Sequence, residues 1–273
     1  LQSLPLNDEG RERCVLSVGQ FRPEKDHALQ VRALAALKKL SNAPRELDRR
    51  YTCFDDVRLV ILGSCRNDDD REVLARTRAL AVELGVEDRV EFVVNCSFDE
   101  LKGWLGRASV GIHTMWNEHF GIGVVEMMAA GLVTIAHWSG GPAEDIIVPI
   151  AHIGMTTGFL AKTPEGYAHI MAGIFHVWRE PPGPASHEKA SKIPVEGVKL
   201  GSASAGPKGR GFGLIDGRCR RYSVRVAARM SASRFSNEVF DREFSARFAR
   251  LLQPQPRTAS VFSRQPGGKG KEE

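Results

Sequence analysis

Two glutamates, Glu118 and Glu126, stand on either side of a glycine pair in the stretch 113–131, HTMWNEHFGIGVVEMMAAG. An apolar run, Ser109-Val110-Gly111-Ile112, leads into it and predicts a strand. Glu118 then falls in a polar loop, and Gly121-Ile122-Gly123 open a helix that carries Glu126 in its first turn. Glycines at a helix start allow a ligand to approach the backbone. The free N–H groups and positive dipole end there suit an anion, most often a phosphate. Carboxylates beside a phosphate site need a different partner, and sugar hydroxyls are the obvious one. For Glu126 the structural alternative is simple stabilisation of the helix N-terminus. For Glu118 it is a solvated loop position.

The same pairing of a strand end with polar residues recurs elsewhere. Cys14–Val18 is a short apolar run ending at Gly19, and Arg22 and Lys25 follow in the loop SVGQFRPEKD. Val57–Leu62 ends at Gly63. Leu132–Ala136 is followed by Ser139-Gly140-Gly141-Pro142. A strand at 90–94 and a last one at 157–161 complete the set. Helices are expected from Pro23 or Glu24 to about Leu40, over 69–84, over 98–106 with Ser97 as cap, and over 164–177. Strands alternating with helices predict a Rossmann-like parallel sheet covered on both faces. In such sheets ligands bind at the carboxyl ends of strands, where all of these motifs lie.

The seven residues between Glu118 and Glu126, together with HTMWNEHFGIGVVE and SVGQFRPEKD, resemble the signatures of retaining glycosyltransferases with the GT-B fold. The resemblance is to the branch of mannosyltransferases that extends a dolichol-linked oligosaccharide. It runs from about Cys14 to Val177 and resumes from about Arg225 to Leu252. It implies a C-terminal donor-binding domain, GDP-mannose as donor and no separate cofactor. By resemblance Glu126 bonds the ribose hydroxyls and Glu118 the mannose. Gly19, the amides of Gly121, Ile122 and Gly123, and the Gly140-Gly141 loop lie against the diphosphate and sugar. Lys25 serves the leaving diphosphate; the arginine usual beside it is replaced by Gln20, with Arg22 as substitute. The implied acceptor is a dolichol-diphosphate-linked oligosaccharide at the cytosolic face of the endoplasmic reticulum membrane. The alternative is a non-catalytic nucleotide-sugar-binding fragment or isoform. A nicotinamide dehydrogenase fits poorly, because no G-x-G-x-x-G follows the first strand.

Composition sets the boundaries. Of 273 residues, 42% are hydrophobic, enough for a core. The net charge of +5 is uneven. Residues 1–180 hold 20 Lys and Arg against 25 Asp and Glu, and residues 181–273 hold 18 against 8. The basic part, the last third of the chain, is rich in Gly, Pro and Ser, which reads as disorder rather than a nucleic-acid face. The expected organisation is a nucleotide-sugar-binding domain over 13–178, a disordered low-complexity insertion over 179–223, a helix over 224–252 and a disordered tail over 253–273. Residues 1–12 read as loose. Five scattered cysteines without a C-x-x-C pair suggest reduced thiols. The opening LQSLPLNDEG carries no signal-peptide pattern, and with the resemblance it suggests that an N-terminal acceptor domain is missing. No metal is expected. Asp68–Asp70 open a helix, where carboxylates are at home, and His113 with His119 lacks a third ligand. Asn117 and His119 read as structural neighbours of Glu118, and Trp116 as packing.

Overall fold

A computed structural model of the chain describes residues 1–41, 54–150, 155–176, 198–200 and 217–252. It divides into two units, residues 1–234 and 235–273. The first unit is built on a seven-stranded sheet in the order β3-β2-β1-β4-β5-β6-β7. The strands are β1 (Glu12–Val18), β2 (Arg58–Gly63), β3 (Val90–Val94), β4 (Ala108–Ile112), β5 (Val133–His137), β6 (Phe159–Ala161) and β7 (Val198–Leu200). The first six pair in parallel, and β7 joins the edge antiparallel to β6.

Alternation along the strands explains the two covered faces. Val15, Leu59, Ile61, Val110, Ile112, Val133 and Ile135 turn to one side. There they meet Val31, Leu34 and Leu37 of α1 (His27–Ser41) and Tyr167, Ile170, Met171 and Phe175 of α5 (Pro164–His176). Cys14, Leu16, Val60 and Leu62 turn to the other side. They meet Trp104 and Leu105 of α3 (Phe98–Arg107) and Met127 and Ala130 at α4 (Ile122–Ala129). Each large apolar side chain removed from water contributes about 1.5–3 kcal/mol. A one-residue slip of any strand would exchange the two faces and is therefore disfavoured. A further helix, α2 (Asp68–Glu83), is capped by Asn67, whose Oδ1 accepts the Asp70 N–H at 2.9 Å. Two of the three carboxylates in its first turn hold arginines: Asp70 takes Arg66 and Asp68 takes Arg71. Ser97 caps α3 as expected, accepting from Glu100 N–H at 3.2 Å.

Three differences from the sequence reading have physical causes. The helix expected from Pro23 opens instead at His27. A single 3₁₀ turn, Pro23–Lys25, comes first. Asp26 breaks it in the left-handed region at φ 46°, and its Oδ1 caps α1 by accepting Leu29 N–H at 3.1 Å. After Gly141 the sequence reads as a short helix to Ile147; the structure has instead a five-residue π turn, Pro142–Ile146. The opening residues are not loose. α6 (Gly217–Ala232) sends Arg221 and Arg225 to Asp8, and Arg229 to the carbonyls of Gln2, Leu4 and Ala129. Arg11, buried beneath, donates to the Leu105, Ala108, Pro5 and Ala130 carbonyls. It joins the C-terminal ends of α3 and α4, where a cation is favoured. Burial and the nearby Arg225 and Arg229 push its pKa down to about 10, which leaves it charged at neutral pH.

The disordered insertion expected over 179–223 lies mostly outside the described residues; β7 and the start of α6 fall within it. In the second unit, α7 (Asn237–Leu252) carries Phe240 and Phe244 with rings stacked at 5.8 Å. A turn at Ser233–Phe235 separates α6 from α7, where the sequence reading has one continuous helix. The tail over 253–273 lies outside the described residues. No helix among the described residues is long and apolar enough to cross a membrane.

Candidate active site

The sheet order reverses between β1 and β4, and that switch point gathers the chemistry. The Gly19–Lys25 loop leaves β1, and the His113–Gly121 loop leaves β4. Cross-links seat the first loop against the second. His27 Nε2 bonds the Gln20 carbonyl at 2.9 Å. Gln30 donates to Thr114 Oγ1 at 2.8 Å, and Thr114 in turn donates to the carbonyls of Lys25 and Asp26 at 2.8 and 3.0 Å. Phe21, fully buried between His27 and Phe92, anchors the middle of the loop.

This seating brings together Lys25 and Glu118, 93 residues apart in sequence. Lys25 Nζ donates to Glu118 Oε2 at 2.9 Å and lies 3.2 Å from Met115 Sδ. The stem of Lys25 passes over Gly19, where a Cβ would stand 3.7 Å from it. Buried His113 places Nε2 at 3.6 Å from the same Glu118 oxygen. Burial alone would raise the Glu118 pKa, but the hydrogen bond and charge of Lys25, helped by His113, outweigh it and hold the carboxyl below its ordinary value. His113 is pushed down to about 4 by burial and by Lys25, so its imidazole is neutral at physiological pH.

The glycines differ in what they do. Gly121 caps α4 at φ 97°, a left-handed conformation that favours glycine. The first helical bond is made by Val124 N–H to the Gly121 carbonyl, so the amides of Ile122 and Gly123 precede the ladder. Gly123 lies over the end of β1, with a Cβ position 3.7 Å from the Val18 carbonyl. Gly140 and Gly141 prop the Glu118 loop from beneath. Gly141 N–H donates to the Glu118 carbonyl at 2.8 Å, and Ser139 Oγ accepts from Asn117 N–H at 2.7 Å. A Cβ on Gly140 would stand 2.3 Å from the Glu118 carbonyl oxygen, and one on Gly141 2.5 Å from that of His119.

Not every candidate joins the cluster. Arg22 is half exposed and pairs with Glu24 at 3.3 Å. Trp116 is 72% exposed rather than packed. Glu126 stands fifth in α4, just past the first turn in which the sequence reading places it, and its carboxylate has no hydrogen-bond or ion-pair partner among the described residues. Burial raises its pKa. Its folded form therefore binds the proton more tightly than the unfolded chain, and ionisation above the raised value costs stability. Glu126→Gln is expected to melt above the wild type at neutral pH, by roughly 0.5–1 kcal/mol. The gap should close as pH falls below the ordinary 4.5, where both states are protonated. Melting curves at several pH values check this, and a gap that stays constant with pH would rule the explanation out. A carboxylate whose burial raises its pKa with no partner to offset it fits a binding residue better than a helix cap.

Sequence reasoning weighed His113 only as a metal ligand and passed over Thr114, Gln30 and Tyr167, whose hydroxyl donates to the His113 carbonyl at 2.8 Å. Their types carry no motif, and only the third dimension places them.

A doubly wound sheet with glycine-opened helix amides, a lysine and a carboxylate at its switch point defines an α/β domain of the kind that binds ligands at its strand ends. Comparison with known proteins sharpens this. Residues 5–182 match the family described as glycosyl transferases group 1, and the chain belongs to it. A Mus musculus protein named GDP-Man:Man(3)GlcNAc(2)-PP-Dol alpha-1,2-mannosyltransferase is 42% identical over 238 residues, 87% of this chain and 38% of that one. The protein of the same name from Dictyostelium discoideum is 47% identical over 167 residues, 61% of this chain and 31% of that one. The chain thus spans about two-fifths or less of these relatives. Among solved structures, a glycosyltransferase from Rickettsia africae superposes with a TM-score of 0.59 at 17% identity, covering 89% of this chain and 48% of that one. The C-terminal domain of a glycosyl transferase group 1 family protein from Francisella tularensis gives 0.52 at 13% identity, covering 82% and 87%. The fold is that of the C-terminal domain of a GT-B glycosyltransferase.

Proposed function

We propose that this chain forms the donor-binding part of a retaining α-1,2-mannosyltransferase that uses GDP-mannose and extends a dolichol-diphosphate-linked oligosaccharide. The observation that carries the reading is the meeting of Lys25, Glu118 and the α4 N-terminus at the switch point of a group 1 glycosyltransferase domain. In this reading the amides of Ile122 and Gly123 and the Lys25 ammonium hold the diphosphate, with Arg22 reaching it from the exposed side. Gly19 keeps that approach open. Glu126 takes the ribose hydroxyls, and Glu118 takes the mannose hydroxyls. Gly140 and Gly141 act by holding the Glu118 loop in place.

The reaction exchanges one C–O bond for another. The mannose C1–O bond to the β-phosphate breaks, and negative charge gathers on the departing GDP. Preorganised donors aimed at that charge lower the barrier. The acceptor 2-hydroxyl oxygen bonds to C1 on the same face, and its proton passes to the leaving phosphate oxygen. Retention then needs no second carboxylate placed as a nucleophile. The acceptor in this reading is a membrane lipid, which puts the reaction at a membrane surface; the resemblance makes that surface the cytosolic face of the endoplasmic reticulum.

Calorimetric titration of the chain with GDP, GDP-mannose, UDP-glucose and NAD tests the donor assignment. The expected result is selective binding of the guanine nucleotides, weakened about tenfold by Glu126→Ala through lost charge-assisted hydrogen bonds. Equal binding of UDP-glucose, or no guanine-nucleotide binding by the folded chain, would overturn it.

A further inference from the structure

His113 is held more firmly than a loop residue needs to be. Its N–H donates to the Ile135 carbonyl at 2.9 Å, and its carbonyl accepts the fully buried Tyr167 hydroxyl at 2.8 Å. Its side chain is 8% exposed and reaches Glu118 Oε2, the oxygen already taken by Lys25. Nδ1 is buried without a hydrogen-bond partner. An orphaned buried N–H is rarer in folded proteins than an under-used acceptor. The single proton of the neutral ring therefore sits on Nε2, facing the carboxylate.

Two donors thus converge on one carboxylate oxygen, one cationic and close, the other neutral and slightly too far. The donor-site reading above assigns Lys25 to the diphosphate. A diphosphate carries more charge than a carboxylate and draws the flexible lysine to itself. Glu118 is largely buried and needs a replacement donor, since an unpaired buried charge is costly. Resting on that reading, we infer that His113 is a positioning residue whose Nε2–H takes over Glu118 when Lys25 turns to the diphosphate, holding the carboxylate toward the sugar. The distance from 3.6 Å to a normal N–H···O bond closes with a shift of roughly 0.7 Å. A neutral ring suits this role. It orients the carboxylate without cancelling the charge that the sugar hydroxyls and the developing positive charge on the sugar require.

The test separates the two ring nitrogens. In His113→Gln the amide nitrogen can stand where Nε2 stands. In His113→Asn it can reach only the place of Nδ1. His113→Leu supplies volume and no donor. Each 273-residue chain is titrated calorimetrically with GDP and with GDP-mannose, and the ratio of the two dissociation constants isolates the sugar's share. Wild type and His113→Gln are expected to favour GDP-mannose alike. His113→Asn and His113→Leu are expected to lose about tenfold of that preference while binding GDP within about twofold of wild type. Retention of the preference by His113→Leu overturns the inference, as does rescue by Asn but not Gln, or a wild-type ratio near one. Should His113→Leu fail to fold, the Gln and Asn pair decides alone. Absence of guanine-nucleotide binding by the wild type is a different failure, because it removes the donor assignment itself.

Discussion

Lys25→Ala is expected to weaken GDP binding by roughly a hundredfold, or about 3 kcal/mol. Two effects add. The diphosphate loses a charge-assisted hydrogen bond from a partly desolvated ammonium, and such bonds are about twice as strong as neutral ones. The removed cation also uncovers Glu118, whose Oε2 it contacts at 2.9 Å. The His113 imidazole beside it is neutral, so the carboxylate's charge is no longer offset and repels the incoming diphosphate. The cost to folding should stay modest, because Glu118 keeps some contact with water and the His113 Nε2–H, 3.6 Å from the same oxygen, can take over the carboxylate. A large loss of affinity with little change in the melt therefore distinguishes a functional lysine from a structural one. Lys25→Arg should not restore binding fully, since a planar guanidinium does not fit between Met115 and Glu118 as a compact ammonium does. Arg22→Ala serves as comparison. Its half-exposed pair with Glu24 predicts a loss of less than about fivefold. Calorimetry with GDP decides the matter, and Lys25→Ala binding within about threefold of wild type would remove Lys25 from the diphosphate site.

Much of this architecture was legible along the chain, for a physical reason. Short apolar runs ending in glycine, such as Val15–Gly19 and Leu59–Gly63, mark buried parallel strands because both faces of each strand are covered. Glu118, Gly121 and Glu126 declare themselves because a glycine-opened helix flanked by carboxylates has few uses. What one-dimensional reading misses is contact between distant segments. The ion pair between Lys25 and Glu118 depends on Thr114 tying one loop to the other, and a threonine at a strand end announces nothing. His113 draws notice only as a poor metal ligand, because its value lies in burial beside Glu118. The break at Asp26 is likewise hidden. Pro23-Glu24 is a good helix opening, and only the cap to Leu29 and the left-handed backbone stop the helix from starting there. That break matters, since the turn before it carries Lys25 to the site. Gly140 and Gly141 carry a similar lesson. Both were expected beside the ligand, yet each closely underlies the backbone of the Glu118 loop.

Gly63→Ala should be among the most damaging single-methyl additions to the fold, costing about 3 kcal/mol or more. Gly63 ends β2 where the chain of β1 turns toward Lys25. A Cβ there would stand 2.0 Å from the Gly19 carbonyl oxygen, 3.1 Å from the carbonyl carbon and 3.2 Å from the Phe21 ring. The obstacle is backbone, which cannot rotate away as a side-chain tip can. Nor can the two strand ends easily part. Gly19 N–H donates to the Leu62 carbonyl at 2.9 Å, Phe21 N–H to Ser64 at 3.1 Å, and Asn95 N–H to Gly63 at 3.0 Å. Relief therefore breaks ladder hydrogen bonds or dislodges buried Phe21, and either course moves the Lys25 turn. For a domain of this size the melting temperature should fall by roughly 6–12 °C, with a parallel loss of GDP affinity. Gly103→Ala supplies the opposite sign. Gly103 lies inside α3 with nothing within 4 Å of its Cβ position. Alanine there should stabilise the protein by about 0.5–1 kcal/mol through helix propensity and lost unfolded-state freedom. Thermal melts of the two variants beside the wild type make the comparison. A Gly63→Ala protein melting within a degree of wild type would mean that the ends of β1 and β2 do not pass at this distance, and the position of Lys25, which hangs on that turn, would have to be redrawn.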